Sequence, residues 1–189
     1  NGSGTFVLLV TDLAGVLTLD FNLGPAIPNI GLSATGLTLA LNTSTGAVTE
    51  IDGTTVNLPA GPYYRVSGNG TITLTNPQAS LSGDFVFEPR DADSNTGNGY
   101  EEVAVGVANL AFNFTDGTNQ LLNVTHGTGA FVFRNTGIVG SLSANASLAV
   151  SGLALGGNFS VALNNTAVAY NQTLNVNGTT VTVNVPGGP

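Results

Sequence analysis

The sequence predicts an all-β chain built from antiparallel, β-sandwich-like repeat units stacked in tandem, with a β-solenoid as the alternative. Three observations predict it. Apolar residues alternate with Thr, Ser, Asn, Ala and Gly over almost the whole chain, turn dipeptides interrupt that alternation, and stretches of sequence recur in the same order. Period-two alternation sets one face of a strand against a core and leaves the other in water.

Taken in order, the alternation runs through Leu17, Leu19, Phe21 and Leu23, and then Leu37, Leu39 and Leu41. It continues with Ile72 and Leu74, Phe85 and Phe87, Val103, Val105 and Val107, and Leu110, Phe112 and Phe114. Phe159, Val161 and Leu163 follow, and Val181, Val183 and Val185 close the series. No stretch holds a helical period. Between the strands stand Asp52-Gly53, Gly68-Asn69-Gly70, Asn76-Pro77, Asp116-Gly117 and Asn177-Gly178, all with turn chemistry. A dozen or so short strands is the expected count.

The repeat is visible residue by residue. Val56-Asn57-Leu58-Pro59-Ala60-Gly61-Pro62 returns as Val183-Asn184-Val185-Pro186-Gly187-Gly188-Pro189, and Gly53-Thr54-Thr55-Val56 as Gly178-Thr179-Thr180-Val181. Upstream, Gly2-Ser3-Gly4-Thr5-Phe6-Val7 matches Gly127-Thr128-Gly129-Ala130-Phe131-Val132. A spacing of about 125 residues implies an array in which each unit buries part of a shared surface. A weaker copy begins at Gly68-Asn69-Gly70-Thr71. The expected division is repeat unit A at 1–63, variant unit B at 64–126 with an acidic loop at 90–102, and unit A′ at 127–189. On this reading the chain begins and ends at repeat junctions, with further units on either side.

Composition narrows the function. The 189 residues include no cysteine, methionine, tryptophan or lysine, and the only cations are Arg65, Arg90 and Arg134. With eleven acids the net charge is −8. Such a surface repels nucleic acid, whose affinity for proteins rests largely on Lys and Arg. No apolar run is long enough for a membrane-spanning helix, so membrane insertion is not expected. Thiol chemistry has no material. The single histidine, His126, offers little for a Ser-His-Asp triad and reads as an exposed turn residue. Asp84 and Glu88, four apart on one strand, are too distant for a glycosidase acid pair, and no tryptophan platform accompanies them. No catalytic residues are expected, and the chain does not read as an enzyme.

One stretch has definable metal chemistry. Asp91, Asp93, Asn95, Gly97 and Glu102 fall at positions 1, 3, 5, 7 and 12 of a calcium-loop pattern, which supplies hard oxygens from alternate residues and a terminal bidentate Glu. Thr96 stands where glycine normally makes the sharp turn, and the flanks read as strands. Four acids, Asp91, Asp93, Glu101 and Glu102, crowd against one arginine. Two readings stand: a calcium loop in a β scaffold, or a solvated acidic loop. Tyr63-Tyr64-Arg65 likewise reads either as a strand start packed on the preceding Pro-rich turn or as a glycan platform. Ten Asn-x-Ser/Thr sites, among them Asn42, Asn69 and Asn158, follow from polar strand faces on which residues two apart share a side, or mark glycosylation.

The stretches Asn57-Leu58-Pro59-Ala60-Gly61-Pro62-Tyr63-Tyr64-Arg65-Val66-Ser67-Gly68 and Leu81-Ser82-Gly83-Asp84-Phe85-Val86-Phe87-Glu88 resemble the Gly/Thr/Asn-rich tandem β repeats of giant secreted bacterial surface proteins, of the adhesin and extracellular-fibre type. The resemblance implies an extracellular, calcium-rich setting at the cell surface and a spacing or adhesive role. The expected function is therefore a structural spacer or fibre-forming repeat, assembled with neighbouring copies through strand edges. The alternative is a glycan-binding module of a surface adhesin.

Overall fold

The computed structural model describes residues 1–27, 29–90 and 101–188, and side chains within these ranges except at 23–27. Thirteen β-strands account for the described chain: β1 (Gly2–Leu8), β2 (Leu13–Ile27), β3 (Ile30–Asn42), β4 (Val48–Ile51), β5 (Thr54–Leu58), β6 (Tyr63–Thr75), β7 (Gln78–Arg90), β8 (Glu102–Thr115), β9 (Gln120–Arg134), β10 (Gly137–Val150), β11 (Leu153–Asn164), β12 (Tyr170–Val176) and β13 (Thr179–Val185). The all-β, antiparallel reading therefore holds. Nine strands form one sheet in the order β1-β2-β3-β6-β7-β8-β9-β10-β11, and β4-β5 and β12-β13 are separate two-stranded hairpins. The sheet is not closed into a barrel, and the strands do not coil into a solenoid.

Alternation gives the sheet one continuous apolar face. A single row of cross-strand neighbours, Gly4–Leu17–Leu39–Val66–Phe87–Val105–Phe131–Gly140–Leu163, crosses all nine strands. None of the described residues covers this face, so its large side chains stay partly in water, from Leu19 and Ile72 to Phe133. The most buried residues lie on the opposite face. There β12-β13 packs over β7 to β10, and Val86, Ala104, Ala130, Val132 and Val139 meet Leu174, Val176, Val181 and Val183. This second layer makes the arrangement sandwich-like where the hairpin lies. Gly106 is the reason that the hairpin can seat so closely, because a Cβ there would overlap Leu174 and Val176. The hairpin β4-β5 sits in the same way on β1 to β3 and buries Ile51 and Leu58.

Both hairpins turn on the dipeptides that the sequence marks. Asp52 and Gly53 have φ of 48° and 75°, and Asn177 and Gly178 have φ of 48° and 88°. Positive φ at both central residues is the two-residue turn whose twist matches the strands it joins. Gly68-Asn69-Gly70, expected as a turn, instead lies inside β6. The glycine there has a packing reason. A line of β-bulges crosses the sheet, marked by positive φ at Gly36, Asn109 and His126 in β3, β8 and β9, and Gly68 faces the first of them with no room for a Cβ beside Leu37. Each bulge inserts one residue and restores the apolar face beyond it, while increasing the local twist. His126 is exposed, as expected, but in a strand bulge and not a turn.

Candidate functional site: a charged clamp under the C-terminal hairpin

The three arginines of the chain converge on one place. Register brings Arg65 on β6, Glu88 and Arg90 on β7, Glu102 on β8 and Arg134 on β9 to neighbouring positions on the face beneath β12-β13. Glu88 and Arg90 share that face because they are two residues apart. Arg65 Nε lies 3.0 Å from Glu88 Oε2, though without the alignment of a hydrogen bond, and Arg90 Nε donates to Glu88 Oε1 at 3.3 Å.

Two of these guanidiniums close the free edge of β12. Arg65 Nη2 donates to the Asn175 carbonyl at 2.9 Å, and Arg90 Nη2 to the Thr173 carbonyl at 2.8 Å. Asn175 and Thr173 are alternate residues whose carbonyls point away from β13, so the arginines satisfy backbone acceptors that an open edge would leave bare. Arg134 works differently. Its Nε donates to Glu102 Oε2 at 2.7 Å, its Nη2 lies 2.6 Å from the same oxygen, and its guanidinium lies 4.7 Å from the centre of the Tyr170 ring. Tyr170, 4% exposed, donates its hydroxyl to the other Glu102 oxygen at 3.0 Å. Burial, followed by the negative charge of Glu102 and this hydrogen bond, pushes the Tyr170 pKa up to about 12.

The tip of the hairpin is held separately. Asp84 accepts from Asn109 Nδ2 at 2.7 Å, Asn177 Nδ2 at 2.8 Å and Asn69 Nδ2 at 3.1 Å. Burial pushes the Asp84 carboxyl up, and the three amide donors outweigh it, so the group titrates below the ordinary aspartate value. Asn177 belongs to the turn itself, which ties the far end of the hairpin to β6, β7 and β8.

The base of each hairpin carries the same knot. Asn42 Nδ2 donates to the carbonyls of Gly46 at 2.8 Å and Pro59 at 2.7 Å, while its Oδ1 accepts from Ser44 N and Oγ at 3.0 and 2.7 Å. Asn164 Nδ2 donates to Val168 O and Pro186 O at 3.0 and 2.7 Å, and its Oδ1 accepts from Thr166 N and Oγ1 at 2.8 and 2.7 Å. Both amides make every hydrogen bond that their donors and lone pairs allow. Gly61 N and Gly188 N then donate to Ser44 O and Thr166 O, at positions with no space for a Cβ. Buried in this way, Asn42 and Asn164 owe their Asn-x-Ser/Thr pattern to the knot, not to an exposed attachment point.

Of the residues expected to bind calcium, Asp91, Asp93, Asn95 and Gly97 lie outside the described residues. Glu102 is described, and both of its oxygens are engaged by Arg134 and Tyr170. Among the described residues no three His, Asp or Glu side chains gather closely enough to share a metal ion. Tyr64 stacks on Phe87 on the apolar face, with ring centres 6.3 Å apart, while Arg65 points to the opposite face. The two side chains therefore do not share one platform.

Comparison with protein-family models, curated proteins and solved structures returned no match. The clamp therefore stands on its own geometry. Sequence reading missed both the clamp and the knots, although signals for them exist. Glu88 and Arg90 stand two apart on one strand of a chain with few charges, and Ala40-Leu41-Asn42-Thr43-Ser44 returns as Ala162-Leu163-Asn164-Asn165-Thr166.

Proposed function

We propose that this chain is a structural spacer or fibre-forming module of a secreted surface protein, whose work is to hold a wide β-sheet rigid. The observation that carries this reading is the use of all three cations. Arg65, Arg90 and Arg134 are committed to fastening one hairpin to the sheet, and the described acids near them, Glu88 and Glu102, are paired with them. Groups so closely engaged with one another are suited to stiffness, because side chains tied by several polar contacts at once are confined to one arrangement. The extracellular setting belongs to the same proposal, since a lysine-free chain offers trypsin-like proteases only arginines as targets.

The test follows from that point. Native chain incubated with trypsin should resist cutting after Arg65 and Arg134, because cleavage there requires the clamp to open, and local opening governs proteolysis of folded proteins. Rapid cutting at both residues under native conditions would remove the support for the reading. A glycan array run on the same protein separates the alternative, and specific sugar binding would move the assignment to an adhesin module. Calcium remains part of the proposal for Asp91, Asp93, Asn95 and Gly97. A weak extracellular site of about 10⁻⁴ to 10⁻³ M would raise the melting midpoint in millimolar calcium over chelator, and equal midpoints would retire it.

A further inference from the structure

The two outer strands of the large sheet are unequal. β1 is a seven-residue strand, whereas β11 offers twelve residues, Leu153–Asn164, with no proline and no charged residue. Natural sheets protect long edges with charge, proline or bulges, and β11 has none of these. Its apolar side chains are also bare, with Leu155 and Phe159 each 58% exposed. The matching strand, β3, which carries the equivalent knot asparagine Asn42, is paired on both edges, to β2 and β6.

We propose that β11 is a homodimerisation edge, pairing antiparallel with β11 of a second copy about a two-fold axis through Asn158. This inference rests on the structural reading above and names its contact. Strand direction decides the symmetry. All neighbouring strands are antiparallel and the sheet has nine of them, so β1 and β11 run the same way. A copy set alongside by translation would place its β1 parallel to β11, the less stable pairing. Rotation about an axis normal to the sheet instead brings β11 to β11 antiparallel, with both apolar faces on the same side.

The register is fixed by two further observations. Asn165 N donates to Ile138 O, so the odd-numbered residues of β11 bond inward to β10 and the backbone groups of Ala154, Gly156, Asn158, Ser160 and Ala162 point outward. With Asn158 on the axis, these outward groups meet as hydrogen-bonded pairs, Gly156 against Ser160 and Ala154 against Ala162. The side chains between them then match on the apolar face: Leu153 with Leu163, Leu155 with Val161, and Gly157 with Phe159. The last pair repeats a device used twice within the chain, where Phe6 lies over Gly15 and Phe131 over Gly140 in the space that a Cβ would fill. At Gly157 that space is open, with nothing within 4 Å of its Cβ position.

Sedimentation of the intact chain from about 1 µM to about 1 mM tests the contact. A monomer–dimer equilibrium is expected. Ser160→Pro removes an amide that makes no bond within the chain, so the fold should survive. The dimer should weaken about a hundredfold, because symmetry removes two hydrogen bonds each worth about tenfold. The chain has no cysteine, so single replacements report the register. Asn158→Cys should form a disulfide dimer readily, with Cα atoms about 5.5 Å apart across the axis, while Ser160→Cys, displaced about 13 Å from its twin, should not. A monomer throughout, equal cross-linking of both variants, or association untouched by Ser160→Pro would overturn this contact. None of those outcomes bears on trypsin resistance, which tests the structural reading itself.

Discussion

Tyr170→Phe is the sharpest probe of the clamp, because it removes one hydroxyl and leaves the ring over Arg134. A hydrogen bond to a charged carboxylate is worth about 1.5–3 kcal/mol. Burial first, and then the charge and hydrogen bond of Glu102, raise the Tyr170 pKa from 10 to about 12, so the folded state favours the protonated tyrosine by about 3 kcal/mol. The sign follows from linkage. A folded-state value above the unfolded one gives stability that is fully present below pH 10 and lost as pH rises from 10 to 12. The chain has no lysine or cysteine, so tyrosines are the main groups titrating in that window. Urea unfolding followed by circular dichroism should find Tyr170→Phe about 2–3 kcal/mol less stable than the parent at pH 8, with the difference shrinking towards zero by pH 12. Equal stability at pH 8, or a difference that persists unchanged at pH 12, would refute the assignment of Tyr170 and Glu102 as a coupled pair.

Three further outcomes are expected. Gly106→Ala should cost about 1–3 kcal/mol by forcing Leu174 and Val176 away from the sheet, and hydrogen exchange should quicken in β12-β13 while β2-β3 stays protected. Asn42→Ala and Asn164→Ala should each lower stability by about 2–4 kcal/mol, since each leaves two carbonyls without their donor; urea melts showing a large loss for one and none for the other would break the equivalence of the two knots. Asp84→Asn should be less stable than the parent at pH 7, with the gap closing as pH falls below about 4. The depressed aspartate stabilises only while ionised, above its ordinary value, and that contribution is lost on acidification; a gap independent of pH in acid melts would contradict it.

The measurements at the two hairpins bear on the repeat as well as on the clamp. β4-β5 and β12-β13 share the turn, the knot and the glycine that closes it, yet only the second has arginines under it. Val183 is 2% exposed, while Val56, which it matches in the repeat, is only half buried. The difference comes from position. β12-β13 lies over β7 to β10, strands on both sides of β9, whereas β1, which matches β9, has none of the described strands on its outer side.

Strand content, the apolar alternation, the two hairpin turns and the recurrence of the hairpin-bearing segments all follow from the sequence by itself. These are local properties: a period of two, positive φ at Asp52-Gly53 and Asn177-Gly178, and repeated short matches need only near neighbours in the chain. What only tertiary structure decided is which residues meet across distance. Arg65 and Asn175 are 110 residues apart, and Glu102 and Tyr170 are 68 apart. Their contact depends on the register of four strands and on the face over which a hairpin folds. The bulges show the same limit. Gly68-Asn69-Gly70 has turn composition, but Gly68 serves a facing bulge, because close approach of another backbone and a tight turn call for the same small residue.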